Sequence, residues 1–205
     1  MLKVGLTGGI ASGKSSVVDI LRKLGVRVVE TDRLAREVVA KGGQALEEIR
    51  EEFGSAVLNN NGELNRERMG EIIFQDQKAR EMLNEITHPR IKKMLISRLK
   101  AWAEKGCKVA VVEVPLLFEV GMENFFDEVW VVRTSRRLQL ERLQERDSLT
   151  EKGAEARLNS QWPQREKVVR ADRIIDNTGS FGELRTKVEQ VWSAFREDKG
   201  LLKEQ

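Results

Sequence analysis

Cysteine is almost missing from these 205 residues. Cys107 stands alone, which excludes an internal disulfide, and the apolar run that follows it makes it a buried, inert thiol rather than a nucleophile. Histidine is as scarce: His88 has no second histidine or cysteine cluster to join, so a structural zinc site is excluded. No apolar run approaches the roughly 18 residues of a membrane span. Met1-Leu2-Lys3-Val4 runs straight into a strand-like segment without the pattern of an export signal. The expected setting is the cytoplasm, with no membrane partner. Also missing is any long block of one charge, because 36 basic and 33 acidic residues interleave to a net +3. That gives nucleic-acid binding no support and suits anionic small molecules. Nothing in the sequence sets an oligomeric state.

What is present is strand-like runs separated by helical stretches: Lys3 to Thr7, Val26 to Glu30, Val109 to Glu113, Glu128 to Val132 and Arg173 to Asp176. Such alternation predicts an α/β fold, a parallel sheet with helices on both faces. Val17, Leu21 and Leu24 repeat at helical spacing after the first run, and Gly25 follows where a left-handed helix cap belongs. The interval from Thr31 to Lys108 is far longer than a crossover needs, so extra structure is inserted there. Leu46, Ile49 and Phe53 form one helical stripe, Met82, Leu83 and Ile86 a second, and Ile91, Met94, Leu95, Leu99 and Trp102 a third. They predict a helical subdomain, with Asn59-Asn60-Asn61-Gly62 as a turn and His88-Pro89 opening the last helix. The arginine-dense stretch from Ser135 to Arg170 reads as a mobile lid, Trp162-Pro163 as a packing corner, and the polar tail from Arg196 to Gln205 as a frayed end. The chain is thus one body: a core of residues 1–31, 109–134 and 171–195, a helical subdomain at about 32–108, and a lid at about 135–170.

Gly8-Gly9-Ile10-Ala11-Ser12-Gly13-Lys14-Ser15 follows an apolar strand and opens an amphipathic helix, the context of a phosphate-binding loop. Glycines let backbone N–H groups turn toward phosphate oxygens, and the start of the helix adds partial positive charge. Gly9 to Ser16 is therefore the expected ATP contact, with Lys14 on the β and γ phosphates and Ser15 on Mg²⁺.

Ligands of an open parallel sheet sit beyond the carboxyl ends of its strands. Asp32 follows the second strand there, and two readings stand. It is a general base for an attacking hydroxyl, or a cap on a helix beginning at Arg33. Glu113, ending the third strand, is either a partnerless strand-end acid or a carboxylate that orients Mg²⁺ through water. Arg142 and Arg146 lie four apart on one helix, where repulsion costs roughly 0.2–0.5 kcal/mol unless an anion sits between them. A phosphate clamp competes there with a solvated face shared with Glu141 and Glu145. Arg136 and Arg137 are weaker candidates for the same duty.

Taken together, these segments resemble dephospho-coenzyme A kinases, a P-loop kinase family, over essentially the whole chain. The similarity runs from Val4–Ser15 through Asp32 with Arg36, Thr87-His88-Pro89-Arg90-Ile91 and Val114-Pro115-Leu116-Leu117-Phe118-Glu119 to Arg170-Ala171-Asp172 and Asp176-Asn177-Thr178-Gly179. The resemblance implies ATP- and Mg²⁺-dependent phosphorylation of the ribose 3′-hydroxyl of dephospho-coenzyme A. Asp32 would be the base, and Lys14 and Arg142 catalytic cations. Arg36 and His88 would line the acceptor side, Leu116, Leu117 and Phe118 would form its apolar wall, and Asn177 would lie near adenine. The helical insertion would be the coenzyme A subdomain. A nucleoside or nucleotide kinase would leave the His-Pro and Pro-Leu-Leu-Phe-Glu segments unexplained. A guanine-nucleotide switch lacks its Asn-Lys-x-Asp motif here.

Overall fold

The computed structural model describes residues 1–201. Of these, residues 1–29 and 107–201 form one compact unit, and Glu30–Gly106 form a second.

β1 (Leu2–Gly8), β2 (Arg27–Glu30), β3 (Val109–Glu113), β4 (Glu128–Arg133) and β5 (Arg173–Asp176) build a parallel sheet in the order β2-β3-β1-β4-β5. The central β1 pairs Val4 with Val111 of β3 and Leu6 with Trp130 of β4. Every residue of β3 is buried, as in a strand covered on both faces, and this is why the strand runs are nearly continuous in valine and isoleucine. α1 (Lys14–Lys23) and α9 (Phe181–Asp198) cover one face and touch each other. Val17, Leu21, Val188 and Phe195 of these helices meet Val4, Leu6 and Trp130 of the sheet in one core. Leu24 ends α1, and Gly25, at φ 79°, takes the expected left-handed position. α9 starts with a capping box between Ser180 and Glu183 and holds through Asp198, so the tail is helical at its beginning. The part of that tail past Leu201 lies outside the described residues.

The arginine-dense stretch is three helices: α6 (Arg136–Asp147), α7 (Glu151–Asn159) and α8 (Gln164–Val169). Ser135 and Thr150 cap the first two by accepting from Leu138 N–H and Gly153 N–H. α8 rests on β4, and Gln164 acts there like a strand neighbour, accepting from Thr134 N–H at 3.2 Å and donating to Thr134 O at 2.6 Å.

The second unit contains α2 (Thr31–Val38), α3 (Gln44–Phe53), α4 (Arg66–Gln75) and α5 (Gln77–Glu104). α5 packs on the other three, and Ile49, Val57, Met69 and Ile86 are buried in its core. Two sequence expectations are corrected here. Asp32 does not cap a helix, because α2 begins at Thr31 and the capping position is Glu30. His88-Pro89 does not open a helix either, since α5 runs through Pro89 for 28 residues. Proline deletes one backbone hydrogen bond. The turn around it is held from both sides, as Thr87 Oγ1 donates to Leu83 O at 2.7 Å and Arg90 Nη1 to Ile86 O at 2.6 Å.

Candidate functional site

The sheet register sets the carboxyl ends of β1, β4 and β5 side by side, with Gly8 opposite Val132 and Arg133 opposite Asp176. The loop after β1, the start of α6 and the Asn177 turn therefore converge. Gly13, at φ 93°, occupies the left-handed region, and a Cβ there would sit 2.0 Å from Asn177 Nδ2. Only glycine fits. At Gly9 a Cβ would lie 2.6 Å from Gln139 Nε2.

A loop that turns its N–H groups toward an anion turns its carbonyls away, and those carbonyls need donors. Three successive carbonyls have them. Gln139 Nε2 donates to Ile10 O at 2.7 Å, Arg142 Nη1 to Ala11 O at 3.3 Å, and Asn177 Nδ2 to Ser12 O at 2.8 Å. Arg142 also reaches Asn177 O at 3.4 Å, while Thr134 Oγ1 donates to the same oxygen at 2.8 Å. Asn177 is thus buried and engaged with the loop backbone through its amide donor. Lys14 bends back over the loop and donates to Gly8 O at 3.0 Å and Gly9 O at 3.1 Å. Ser15 is exposed, Ser16 half-buried, and Ser12 fully buried with a hydroxyl that makes no hydrogen bond among the described residues.

The two arginines of the expected clamp part company. Arg142 lies on the loop, whereas Arg146 grips Asp147 through Nε at 2.7 Å and Nη2 at 2.9 Å. That hydrogen bond raises the Arg146 pKa. Arg157 adds a second cation to Asp147 at 2.5 Å. Arg137 faces Glu141 at 3.6 Å, and Arg136 faces Glu155 at 3.6 Å.

Glu113 is buried at the end of β3, opposite Leu6 of β1. Past it, Val114 N–H donates to Leu6 O at 2.9 Å, and the chain turns through Leu116, Leu117 and Phe118. Leu116 is 41% exposed, while Leu117 and Phe118 are buried. Leu117 packs so closely on β1 that a Cβ on Gly5 would meet its Cδ1 at 2.7 Å. In the second unit Asp32, Arg36 and His88 are all exposed, the first two on α2 and the third on α5.

Asp176, next to Asn177, is held at a pKa of about 2: burial pushes it up, but hydrogen bonds from Thr178 and Arg133 outweigh that. Beside Gly9 and Ile10 lies a cavity of about 530 Å³, walled also by Arg136, Gln139, Gln161 and Arg165. The three glutamines of this region, Gln139, Gln161 and Gln164, were not indicated by the sequence reading. A neutral amide in a charged helical stretch leaves no periodic or charge signal.

A dephospho-CoA kinase family model matches residues 2–183. A dephospho-CoA kinase of Moorella thermoacetica is 45% identical over 94% of this chain and 91% of its own. One of Geobacillus kaustophilus is 42% identical over 91% and 93%. Among solved structures, a dephospho-CoA kinase from Campylobacter jejuni superposes with TM-score 0.74 at 31% identity, covering 96% of this chain and 98% of the other. A shikimate kinase from Acinetobacter baumannii shares the fold alone, at TM-score 0.56 and 15% identity, over 97% and 95%.

Proposed function

The chain belongs to the dephospho-CoA kinase family, whose reaction is the ATP-dependent phosphorylation of dephospho-CoA in CoA biosynthesis, and from that footing we propose a role for each residue of the site. The acceptor is the ribose 3′-hydroxyl. Its proton passes to the Asp32 carboxylate as its oxygen bonds to the γ-phosphorus, and the bond from that phosphorus to the β,γ-bridging oxygen breaks to release ADP. Asp32 is exposed in the first turn of α2.

Lys14 exchanges the carbonyls of Gly8 and Gly9 for phosphate oxygens and balances the charge that builds on the leaving group. The N–H groups of the loop between Gly9 and Ser16 hold the phosphates, apart from that of Ile10, which donates to Gln161, and that of Ser12, which donates to Gly9 O. Arg142 and Asn177 act from the carbonyl side of the loop, Arg142 with a guanidinium still able to reach phosphate; Arg146, turned to Asp147, is the weaker contact. Arg36, His88, Leu116, Leu117 and Phe118 are the acceptor residues; of the last three, Leu116 is exposed and Leu117 and Phe118 are buried.

No group of three metal-ligating side chains occurs among the described residues. Mg²⁺ needs only one or two protein oxygens. The exposed Ser15 hydroxyl and, through water, Glu113 are the matching donors. The ion would neutralise charge between the β and γ phosphates. Substrates are small molecules, and the setting is the cytoplasm.

The observation that carries the assignment of residues is the left-handed Gly13 turn, with the carbonyls of Ile10, Ala11 and Ser12 each tied to a side chain. An acceptor screen with ATP and Mg²⁺ tests the reaction. Dephospho-CoA should be consumed far faster than AMP or adenosine, with a new 3′-phosphomonoester in the ³¹P NMR spectrum. Preference for AMP or a nucleoside would reassign the chain to a nucleotide or nucleoside kinase.

A further inference from the structure

Ile10 has both of its backbone groups taken up by glutamine side chains. Gln139 holds its carbonyl, and its N–H donates to Gln161 Oε1 at 2.8 Å. The second contact is the unusual one, because it sets an acceptor on an N–H of a loop whose donors serve an anion. Gln161 is not free to wander. The N–H of the next residue, Trp162, donates to Glu119 Oε1 at 3.1 Å, and the same oxygen lies 2.6 Å from Lys167 Nζ. Lys167 is completely buried, and the Glu119 side chain is 15% exposed. Arg170 lies over the Trp162 ring at 5.0 Å and faces Glu123 at 3.9 Å. A buried lysine is tolerated only with a counter-charge, so Glu119 and Lys167 fix each other, and through Trp162 they fix the backbone that carries Gln161.

We infer that Gln161 is a positioning residue for phosphoryl transfer, locking the phosphate loop at Ile10, and that the Glu119–Lys167 pair is the support that keeps it there. Donors aimed at developing charge act through preorganisation, so a loop whose Ile10 peptide can rotate loses rate before it loses fold. Glu119 directly follows Leu116, Leu117 and Phe118. One chain of contacts thus runs from the nucleotide loop to the turn after β3.

The inference rests on the phosphate-loop assignment, and the tests separate the two. Wild-type protein that binds no fluorescent ATP analogue would sink the assignment itself. Gln161→Met keeps the volume and removes the acceptor. It should lower kcat about 10- to 100-fold, the range of other supporting contacts, with an unchanged melting temperature. Gln161→Glu restores an acceptor oxygen, so kcat should return toward wild type. The added charge should raise KM for ATP, and salt should relieve that rise. Glu119→Gln alone strands the Lys167 ammonium and risks unfolding, so the support is tested in pairs. Glu119→Gln with Lys167→Met keeps an acceptor for Trp162 N–H but removes the ion pair, so its kcat should fall, though by less than that of Gln161→Met. Glu119→Leu with Lys167→Met should reproduce the kcat loss of Gln161→Met, and combining the two should add little. Wild-type kcat and KM in Gln161→Met, or full additivity of the two losses, would overturn the inference.

Discussion

At Gly13 the space, the torsion and the chemistry agree, because a side chain would collide with Asn177 in a conformation that only glycine adopts easily. Around it, the charged side chains divide by what they already hold. Lys14 rests on two carbonyls that phosphate oxygens can replace without unfolding anything. Lys14→Ala should therefore reduce turnover by about 10²–10³-fold while ATP affinity falls less, since the backbone donors remain. Near-normal turnover in a steady-state assay would contradict the role. Asp32 sits inside the first turn of α2 and not at its capping position, so no capping bond is at stake. Asp32→Asn keeps shape and hydrogen-bonding capacity but removes basicity. We expect kcat to drop about 10²–10⁴-fold with melting unchanged. A loss below about fivefold, well under that range, would mean that another group orients the acceptor.

Among the elements, all five strands were legible, since runs such as Val109–Glu113 and Glu128–Arg133 concentrate β-branched residues between turn signals. The phosphate loop was legible because its glycines are fixed by local geometry. α5 was not, because proline at position 89 reads as a break, whereas tertiary packing of Ile86 and the side-chain bonds of Thr87 and Arg90 carry the helix through it. The glutamine contacts on Ile10 escaped for a related reason: they join residues far apart in the chain and leave no local mark. Pro89 is exposed, so replacing it removes no buried packing. Pro89→Ala restores a backbone donor and should stabilise the chain by up to about 3 kcal/mol, the helix-interior penalty of proline against alanine. Urea denaturation of the full chain measures this, and a destabilised variant would show that the ring shapes α5.

Over the whole molecule, two depressed carboxylates stand at opposite ends of the β4–β5 pair, Glu128 starting β4 and Asp176 ending β5. Burial pushes Glu128 up, but it accepts from Arg173 at 2.8 Å and Trp130 Nε1 at 3.0 Å, and it lies 2.9 Å from Lys199. Its pKa settles at about 2 against an ordinary 4.5. Asp176 also settles at about 2, below its usual 3.8. Because both folded values lie below the unfolded ones, their stabilisation is fully present above pH 4.5 and is lost as pH falls from there toward 2. Each unit of depression is worth about 1.4 kcal/mol, so Glu128 alone accounts for a few. Urea midpoints should hold steady from about pH 7 to 5 and drop steeply by about pH 3. Glu128→Gln keeps a carbonyl acceptor for Arg173 and Trp130 but leaves the Arg173 and Lys199 charges uncompensated. It should be less stable at neutral pH and lose less on acidification than wild type. Should its stability decline between pH 5 and pH 3 as steeply as that of the parent chain, the acid sensitivity arises elsewhere and the Glu128 cluster is not what holds β4, β5 and the end of α9 together.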